Sequence, residues 1–318
     1  RTADGFMASQ ALFAALELGL FDRLAGGPLT SAQLQERCGV RAPRLQTLLT
    51  ALVTTKCLRR DQEAGTYTNS PNVARFMVST SKAYYGDYLK LQIGRLFYPQ
   101  MGGLSRAMLG EAVDYQTWFA DPEVASLYTA AQHNGSLATA KDLLRRIDLS
   151  GTTSLLDVGG GSGAFSIVLA RAVPGLRATV LELPEVCKSG REHVAREPDV
   201  EPRIRFLELD ATSPDWPASP GSYEVVLMSY LSGSVPEHVL GSLYANALRA
   251  LRPGGRLIVH DFMVDDSLVG PKLGALWALQ HVTVNPEGLG LSPGGVSARM
   301  LAAGFARAES LEMIRGMT

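Results

Sequence analysis

The sequence predicts an α/β protein: a doubly wound parallel sheet that follows a mostly helical amino-terminal region. Three observations carry this reading. The run Leu155 to Ala170, LLDVGGGSGAFSIVLA, is an apolar strand that ends in Asp157, turns through glycine-rich sequence and opens a helix. From there apolar runs of strand length alternate with amphipathic stretches of helix length, the order that puts parallel strands in one Rossmann-like sheet with helices on both faces. Before it, helical periodicity gives way to a short hairpin pattern, which marks a separate unit.

From Phe6 to Leu24 apolar residues recur at helical spacing (Phe6, Leu12, Ala15, Leu16, Leu20, Phe21, Leu24), which predicts one amphipathic helix closing at Gly26-Gly27. Thr30-Ser-Ala-Gln33 is a capping box ahead of a short helix through Cys38, stopped by Gly39. A further helix, Arg44 to Cys57, carries Leu45, Leu48, Leu49, Leu52 and Val53 on one face. Leu58-Arg-Arg60 and Thr66-Tyr-Thr68 predict two short strands around a turn at Ala64-Gly65. Helix, turn, helix and hairpin make a winged-helix pattern. Its two uses are DNA binding, with Arg41, Arg44, Arg59 and Arg60 as the basic face, and dimerisation; the near-neutral charge favours dimerisation.

Residues 82 to 148 read as mostly helical, with Tyr84, Tyr85, Tyr88, Phe97, Tyr98, Trp118, Phe119 and Tyr128 mainly as packing aromatics. A boundary falls near Leu149 to Thr153, so the expected domains are 1–80 (winged-helix-like), 81–150 (helical linker and active-site roof) and 151–318 (parallel sheet). In the last, strands are expected at Ser154–Val158, Ala178–Leu183, Ile204–Leu209, Glu224–Leu231 and Arg256–Phe262. Helices are expected from Gly163, from Glu185 and over Pro236–Leu251.

At 318 residues, 46% hydrophobic and 19% charged, the chain is long enough for two ordinary globular cores. A net charge of −1 with interspersed signs supplies no field for nucleic acid or an anionic membrane. Cys38, Cys57 and Cys187 are odd in number and lack metal spacing, which suits buried thiols in a reducing cytoplasm and no metal site. No apolar run is long enough to span a bilayer, and the first residues lack signal-peptide character. Without an initiator Met the native start is expected to lie upstream.

The glycine loop fits two kinds of ligand. Gly159, Gly161 and Ala164 match the dinucleotide fingerprint; Gly159, Gly161 and Gly163 after an acid match the loop of S-adenosylmethionine enzymes. Polar residues at strand ends discriminate, because ligands in such sheets lie beyond the carboxyl ends. Asp157 suits the α-ammonium of S-adenosylmethionine but would repel a pyrophosphate. Glu182, with Leu183 after it, ends the second strand and can accept both ribose hydroxyls. Asp210-Ala211 ends the third and suits an adenine amino group, while Ser229 and Tyr230 end the fourth, near a cofactor's reactive end.

With these residues the chain resembles the S-adenosylmethionine-dependent O-methyltransferases of the acetylserotonin and plant caffeate type. The likeness covers nearly the whole length: Ala3 to Gln10, Ala15 to Asp22, the glycine loop, Leu181-Glu-Leu-Pro-Glu-Val186, Leu251-Arg-Pro-Gly-Gly255 and Leu301-Ala-Ala-Gly-Phe305. It implies a homodimer through the amino-terminal domain, S-adenosyl-L-methionine as cofactor, and a small aromatic or natural-product-like acceptor. The acceptor pocket is expected along Met228, Tyr230, Trp277, Gln280 and His281. The family continues into a last antiparallel strand where this sequence stops at Arg315-Gly-Met-Thr318.

The chemistry departs from the family at one place. A neutral phenol has a pKa of about 10, so transfer to it ordinarily needs a base. The family's base is a His in a His-Asp-Trp run after the fourth strand, where this chain reads Leu231-Ser-Gly-Ser-Val235, with Ser232 or Gly233 at the His position. Asp261 matches one supporting acid; the other falls in Glu287-Gly-Leu-Gly-Leu-Ser292, with Gly290 and Leu291 in its place. His281 is the first substitute base, ahead of His133 and of His260, whose side chain points opposite to Asp261. His193 and His238 read as solvated. Two further readings stay open: an acceptor ionised without a strong base, giving O-, S-, N- or C-methylation, and a non-methylating reaction (hydroxylation, decarboxylation, cyclisation) on a retained cofactor. A winged-helix DNA-binding regulator is the remaining alternative.

Overall fold

The computed structural model describes residues 2–111, 119–217, 220–283, 285 and 290–316. Trp118 and Glu287 lie outside the described residues. The chain divides into two compact units, Arg1–Tyr98 and Pro99–Thr318.

In the first unit the single helix expected over Phe6–Leu24 is two: α1 (Gly5–Glu17) and α2 (Leu20–Arg23). The break is at Gly19, whose φ of 61° is left-handed, and Arg23 Nη1 donates to the carbonyls of Leu18 (2.7 Å) and Gly19 (3.0 Å), the latter also accepting from Arg23 N. The capping box forms as read: Thr30 Oγ1 accepts from Gln33 N and Gln33 Oε1 accepts from Thr30 N, opening α3 (Ser31–Cys38). α4 (Ala42–Thr54) follows, its Leu45, Leu49 and Leu52 fully buried. The hairpin β2 (Leu58–Asp61) and β3 (Thr66–Asn69) gains a third strand, β1 (Leu29–Thr30), antiparallel to β3. Two residues are too short for periodicity to detect. After α5 (Pro71–Phe76), a π-helical stretch covers Tyr88–Phe97.

The short α6 (Tyr98–Met101) begins at the last residue of the first unit; α7 (Leu104–Ala107) follows in the second, then the long α8 (Pro122–Arg146), which Asp121 caps by accepting from Glu123 N and Val124 N. The sheet consists of β4 (Ser154–Val158), β5 (Arg177–Glu182), β6 (Ile204–Glu208), β7 (Tyr223–Ser229) and β8 (Leu251–His260). Its order is β6-β5-β4-β7-β8, all parallel, so the chain runs outward from β4 to one edge and returns to build the other. The reversal beside β4 puts the glycine loop at the switch point. β8 starts five residues earlier than read, at Leu251, because Pro253-Gly-Gly255 joins the strand irregularly through a register shift against Tyr223 and Val225.

Helices α9 (Ala164–Ala172), α10 (Pro184–Val194), α11 (Glu237–Ala250), α12 (Lys272–His281) and α13 (Pro293–Ala302) complete the unit. One apolar core joins α8 and α9 to the sheet through Leu155, Ile167, Val180 and Leu227; the other joins α11 through Leu156, Val158, Val226 and Tyr244. Alternate residues of one strand therefore feed opposite cores, as the doubly wound pattern requires. Leu156 is fully buried, so Leu156→Ala leaves a cavity; it is expected to lower unfolding stability by about 2–5 kcal/mol, measured by denaturant titration.

Candidate active site

A cavity of about 520 Å³ opens at the carboxyl ends of β4, β5, β6 and β7. Three carboxylates stand on its wall, Asp157, Glu182 and Asp210, each just at or after the end of its strand. Asp157 is 1% exposed; Oδ2 accepts from Ser166 Oγ at 2.7 Å, while Oδ1 is buried and has no hydrogen-bond partner. Burial is the main cause that pushes its pKa up to about 6, with Ser166 pulling the other way. Glu182 accepts from Gly161 N (3.3 Å) and Leu183 N (2.6 Å), and burial lifts it to about 7. Asp210 Oδ1 accepts from both the N–H and the hydroxyl of Thr212, each at 2.8 Å.

The glycine loop is shaped around this acid. A Cβ on Gly160 would lie 2.7 Å from Asp157 Cγ and 2.9 Å from Val180 Cγ1, so the carboxylate fills the space a side chain would need. Gly159 and Gly161 are on the wall as expected, but Gly163 is not: with φ of 73° it starts α9 and packs on Val194 and Phe206. Leu183, Ala211 and Ser229 reach the wall.

The wall discriminates between the two ligand readings. Among its described residues no Lys or Arg faces three carboxylates, so a pyrophosphate would meet repulsion without a counter-charge. The partnerless Asp157 oxygen and the free lone pairs of Glu182 fit an ammonium and a pair of hydroxyls, as in S-adenosylmethionine.

The acceptor side differs more from expectation. Of the expected acceptor residues, Tyr230 alone is on the described wall. Met228 is fully buried in the core against α11, because β7 alternates and its side chain faces the sheet's other side. Trp277 packs on Phe262, with ring centroids 4.6 Å apart, and Gln280 is 6% exposed with neither amide atom hydrogen-bonded. Both stand behind the wall.

The three catalytic candidates are also drawn into packing. Asp261 is 2% exposed and accepts from Gly233 N (3.0 Å) and Phe262 N (2.9 Å). Burial pushes it up to about 7 although these N–H groups favour the carboxylate, and its position braces the turn Ser232–Ser234. His281 is 5% exposed with its ring against that turn: a Cβ on Gly233 would lie 3.0 Å from His281 Nδ1. The imidazole thus occupies the space that a side chain at position 233 would enter. Ser232 is turned inward, its Oγ accepting from Tyr244 OH at 3.1 Å. His133 lies behind the glycine loop, Nδ1 2.9 Å from Ser162 Oγ and stacked on His193 at 4.2 Å, with burial lowering it to about 4.

Sequence reading missed part of the wall. Thr129, Gln132 and Ser136 form a polar stripe on α8, legible as helical spacing once one knows which face is inward. Phe119 and Tyr128 add an edge-to-face aromatic pair at 4.8 Å. His238 is exposed, as read, and also lines the cavity from the first turn of α11, beside Val235 and Val239. Asn285 joins them and donates from Nδ2 to Ser234 O at 3.1 Å. Nothing nearby in sequence signals its role.

The parallel sheet, its switch-point glycine loop and the acids at successive strand ends define a class I S-adenosylmethionine-dependent methyltransferase. More narrowly, the chain belongs to the O-methyltransferase family: residues 85–306 match the O-methyltransferase domain and residues 1–80 the O-methyltransferase dimerisation domain. Among curated relatives, the N,N-dimethyltransferase OxyT of Streptomyces rimosus is 32% identical over 97% of this chain and 90% of its own. The tetracenomycin polyketide synthesis 8-O-methyl transferase TcmO of Streptomyces glaucescens is 32% identical over 94% and 88%. The crystal structure of human N-acetylserotonin methyltransferase in complex with S-adenosylmethionine superposes with a TM-score of 0.87 at 25% identity, covering 98% of this chain and 92% of that one.

Two outcomes follow from the geometry. Gly160→Ala is expected to abolish binding of S-adenosylhomocysteine in calorimetry, since its Cβ meets the Asp157 carboxylate. Asp157 titrates near 6 without ligand; an ammonium favours its ionised form, so binding releases a proton below that pH. Affinity should be level above pH 7 and fall about tenfold by pH 5, read from isothermal titrations across that range.

Proposed function

We propose that the protein transfers the methyl group of S-adenosylmethionine to an oxygen of a small aromatic, natural-product-like acceptor, as a cytoplasmic homodimer assembled through residues 1–80. The carrying observation is the acid-lined cavity at the sheet's switch point, with a buried Asp157 oxygen that has no hydrogen-bond partner. In this reading Asp157 holds the cofactor's α-ammonium, Glu182 its ribose hydroxyls and Asp210 the adenine amino group. Leu183 and Ala211 flank the nucleoside, and Gly159 and Gly161 let it approach the backbone. Residues 81–150 roof the acceptor and residues 151–318 carry the cofactor.

S-adenosylmethionine supplies an electrophilic methyl on a sulfonium. The chain's own contribution is orientation and exclusion of water. Tyr230 offers an aromatic face to an acceptor ring, while Gln132, Ser136 and Asn285 offer hydrogen bonds to its substituents; Phe119 and Tyr128 pack with Leu183 and Val186 on the nucleoside side. The acceptor hydroxyl would react as its oxyanion, its proton released to solvent before transfer, so that the oxyanion and sulfonium charges are lost together; fixing that oxygen in line with the methyl group supplies much of the rate in such a transfer. The names of two relatives support the acceptor class: TcmO is an 8-O-methyl transferase of polyketide synthesis, and one from Streptomyces sahachiroi is a 3-hydroxy-5-methyl-1-naphthoate 3-O-methyltransferase, 31% identical over 87% of this chain. Free cysteines and the dimerisation domain support the cellular setting and assembly. Among the described residues no helix is long and apolar enough to cross a membrane.

The test is incubation with S-adenosylmethionine and hydroxylated naphthoates and indoles, read by mass spectrometry. Equal amounts of S-adenosylhomocysteine and O-methylated product are expected. Cofactor binding with no methylated product from any hydroxyl acceptor, or methylation at carbon, would overturn oxygen as the receiving atom. Tyr230→Ala should raise the acceptor KM about fivefold through lost ring contact, with little change in cofactor affinity.

A further inference from the structure

Ser229, the last residue of β7, lines the cavity, and its Oγ is 2.9 Å from Nδ1 of His260, the last residue of the neighbouring strand β8. His260 itself is 5% exposed. It is walled off by the rings of Tyr230, edge-on at 4.6 Å, and Phe165 at 6.2 Å, both of which face the cavity. Its other nitrogen, Nε2, is buried and has no hydrogen-bond partner.

That asymmetry sets the direction of the Ser229–His260 bond. Burial keeps the imidazole neutral, with its pKa lowered to about 4, so the ring carries one proton. A proton on Nε2 would orphan a buried N–H donor; a proton on Nδ1 leaves only an acceptor lone pair unmatched. Orphaned buried donors are the rarer and costlier of the two. Nδ1–H therefore donates to Ser229 Oγ, and the Ser229 hydroxyl hydrogen is left to donate into the cavity. The tautomer converts an ambiguous hydroxyl into a fixed donor.

The location says what it meets. β7 is next to β4, with Asp157 in register with Leu227, so Ser229 stands at the same carboxyl edge, one strand over from Asp157. Adjacent strands are about 4.8 Å apart. The α-ammonium and α-carboxylate of S-adenosylmethionine share one carbon, so an ammonium on Asp157 brings the carboxylate within reach of the neighbouring strand end. We propose that Ser229 donates to the α-carboxylate of S-adenosylmethionine and that the buried His260 is a positioning residue that holds the hydroxyl in this donor role. The inference rests on Asp157 as the ammonium partner.

Three probes separate the contacts by calorimetry: S-adenosylhomocysteine, 5′-(3-aminopropylthio)-5′-deoxyadenosine, which lacks the carboxylate, and 5′-(3-carboxypropylthio)-5′-deoxyadenosine, which lacks the amine. Ser229→Ala should weaken the two carboxylate-bearing probes about tenfold and leave the aminopropyl probe unchanged. His260→Phe should give the same pattern. His260→Asn, whose amide nitrogen can take the place of Nδ1, should restore most of the loss. In the wild-type protein bound to S-adenosylhomocysteine, nitrogen-15 NMR should report the Nδ1–H tautomer of His260. Equal weakening of all three probes by Ser229→Ala, or an Nε2–H tautomer in the complex, would overturn the proposal. The Asp157 reading fails separately, if Asp157→Asn weakens the carboxypropyl probe as strongly as S-adenosylhomocysteine.

Discussion

The buried carboxylate of Asp157 is the constraint around which the catalytic unit is built. An acid taken out of water at the end of the central strand is costly unless something repays its desolvation. Ser166 satisfies one oxygen, from the first turns of α9. The other is buried without a hydrogen-bond partner. The same carboxylate occupies the space above Gly160, so the loop must be glycine there, and the loop in turn gives Glu182 its Gly161 N–H. Acid, loop and second acid are thus mutually dependent, and each is on a different element of the switch point.

The turn after β7 shows how the family's sheet is kept while the residues packed around this turn differ from the family's pattern. Of Ser232 and Gly233, where the resemblance places the family's base, Ser232 is turned inward to Tyr244 and Gly233 carries no side chain. Instead Asp261 grips the turn through backbone N–H groups, and the His281 ring packs into the space beside it. Residues that sequence logic assigns to proton transfer become the structural support of a tight turn. Their raised carboxylate and lowered imidazole pKa values share one cause, burial, which disfavours charge in both.

The histidines make the same point more generally. His133, His260 and His281 are all driven to the neutral form by burial, and each is held by a local partner or packing contact. A neutral imidazole with one nitrogen engaged is a device for orienting a hydroxyl. Both Ser162 and Ser229, the hydroxyls so engaged, face the cavity.

The sequence by itself determined the sheet and the acids at its strand ends, because apolar runs of strand length ending near Asp157, Glu182 and Asp210 carry both the fold and its carboxyl edge in local order. It also determined the capped helix at Thr30, where the cap and its partner are three residues apart. Local pattern failed where the deciding contact is distant. The break at Gly19 depends on how Arg23 folds back, and the two-residue β1 exists only because β3 is there to pair with it. Which histidine faces the cavity, and that Met228 and Gln280 do not, depends on side-chain direction and on elements far apart in the chain. Tertiary packing alone decides those, since burial and the choice of tautomer are set by neighbours that the sequence does not place side by side.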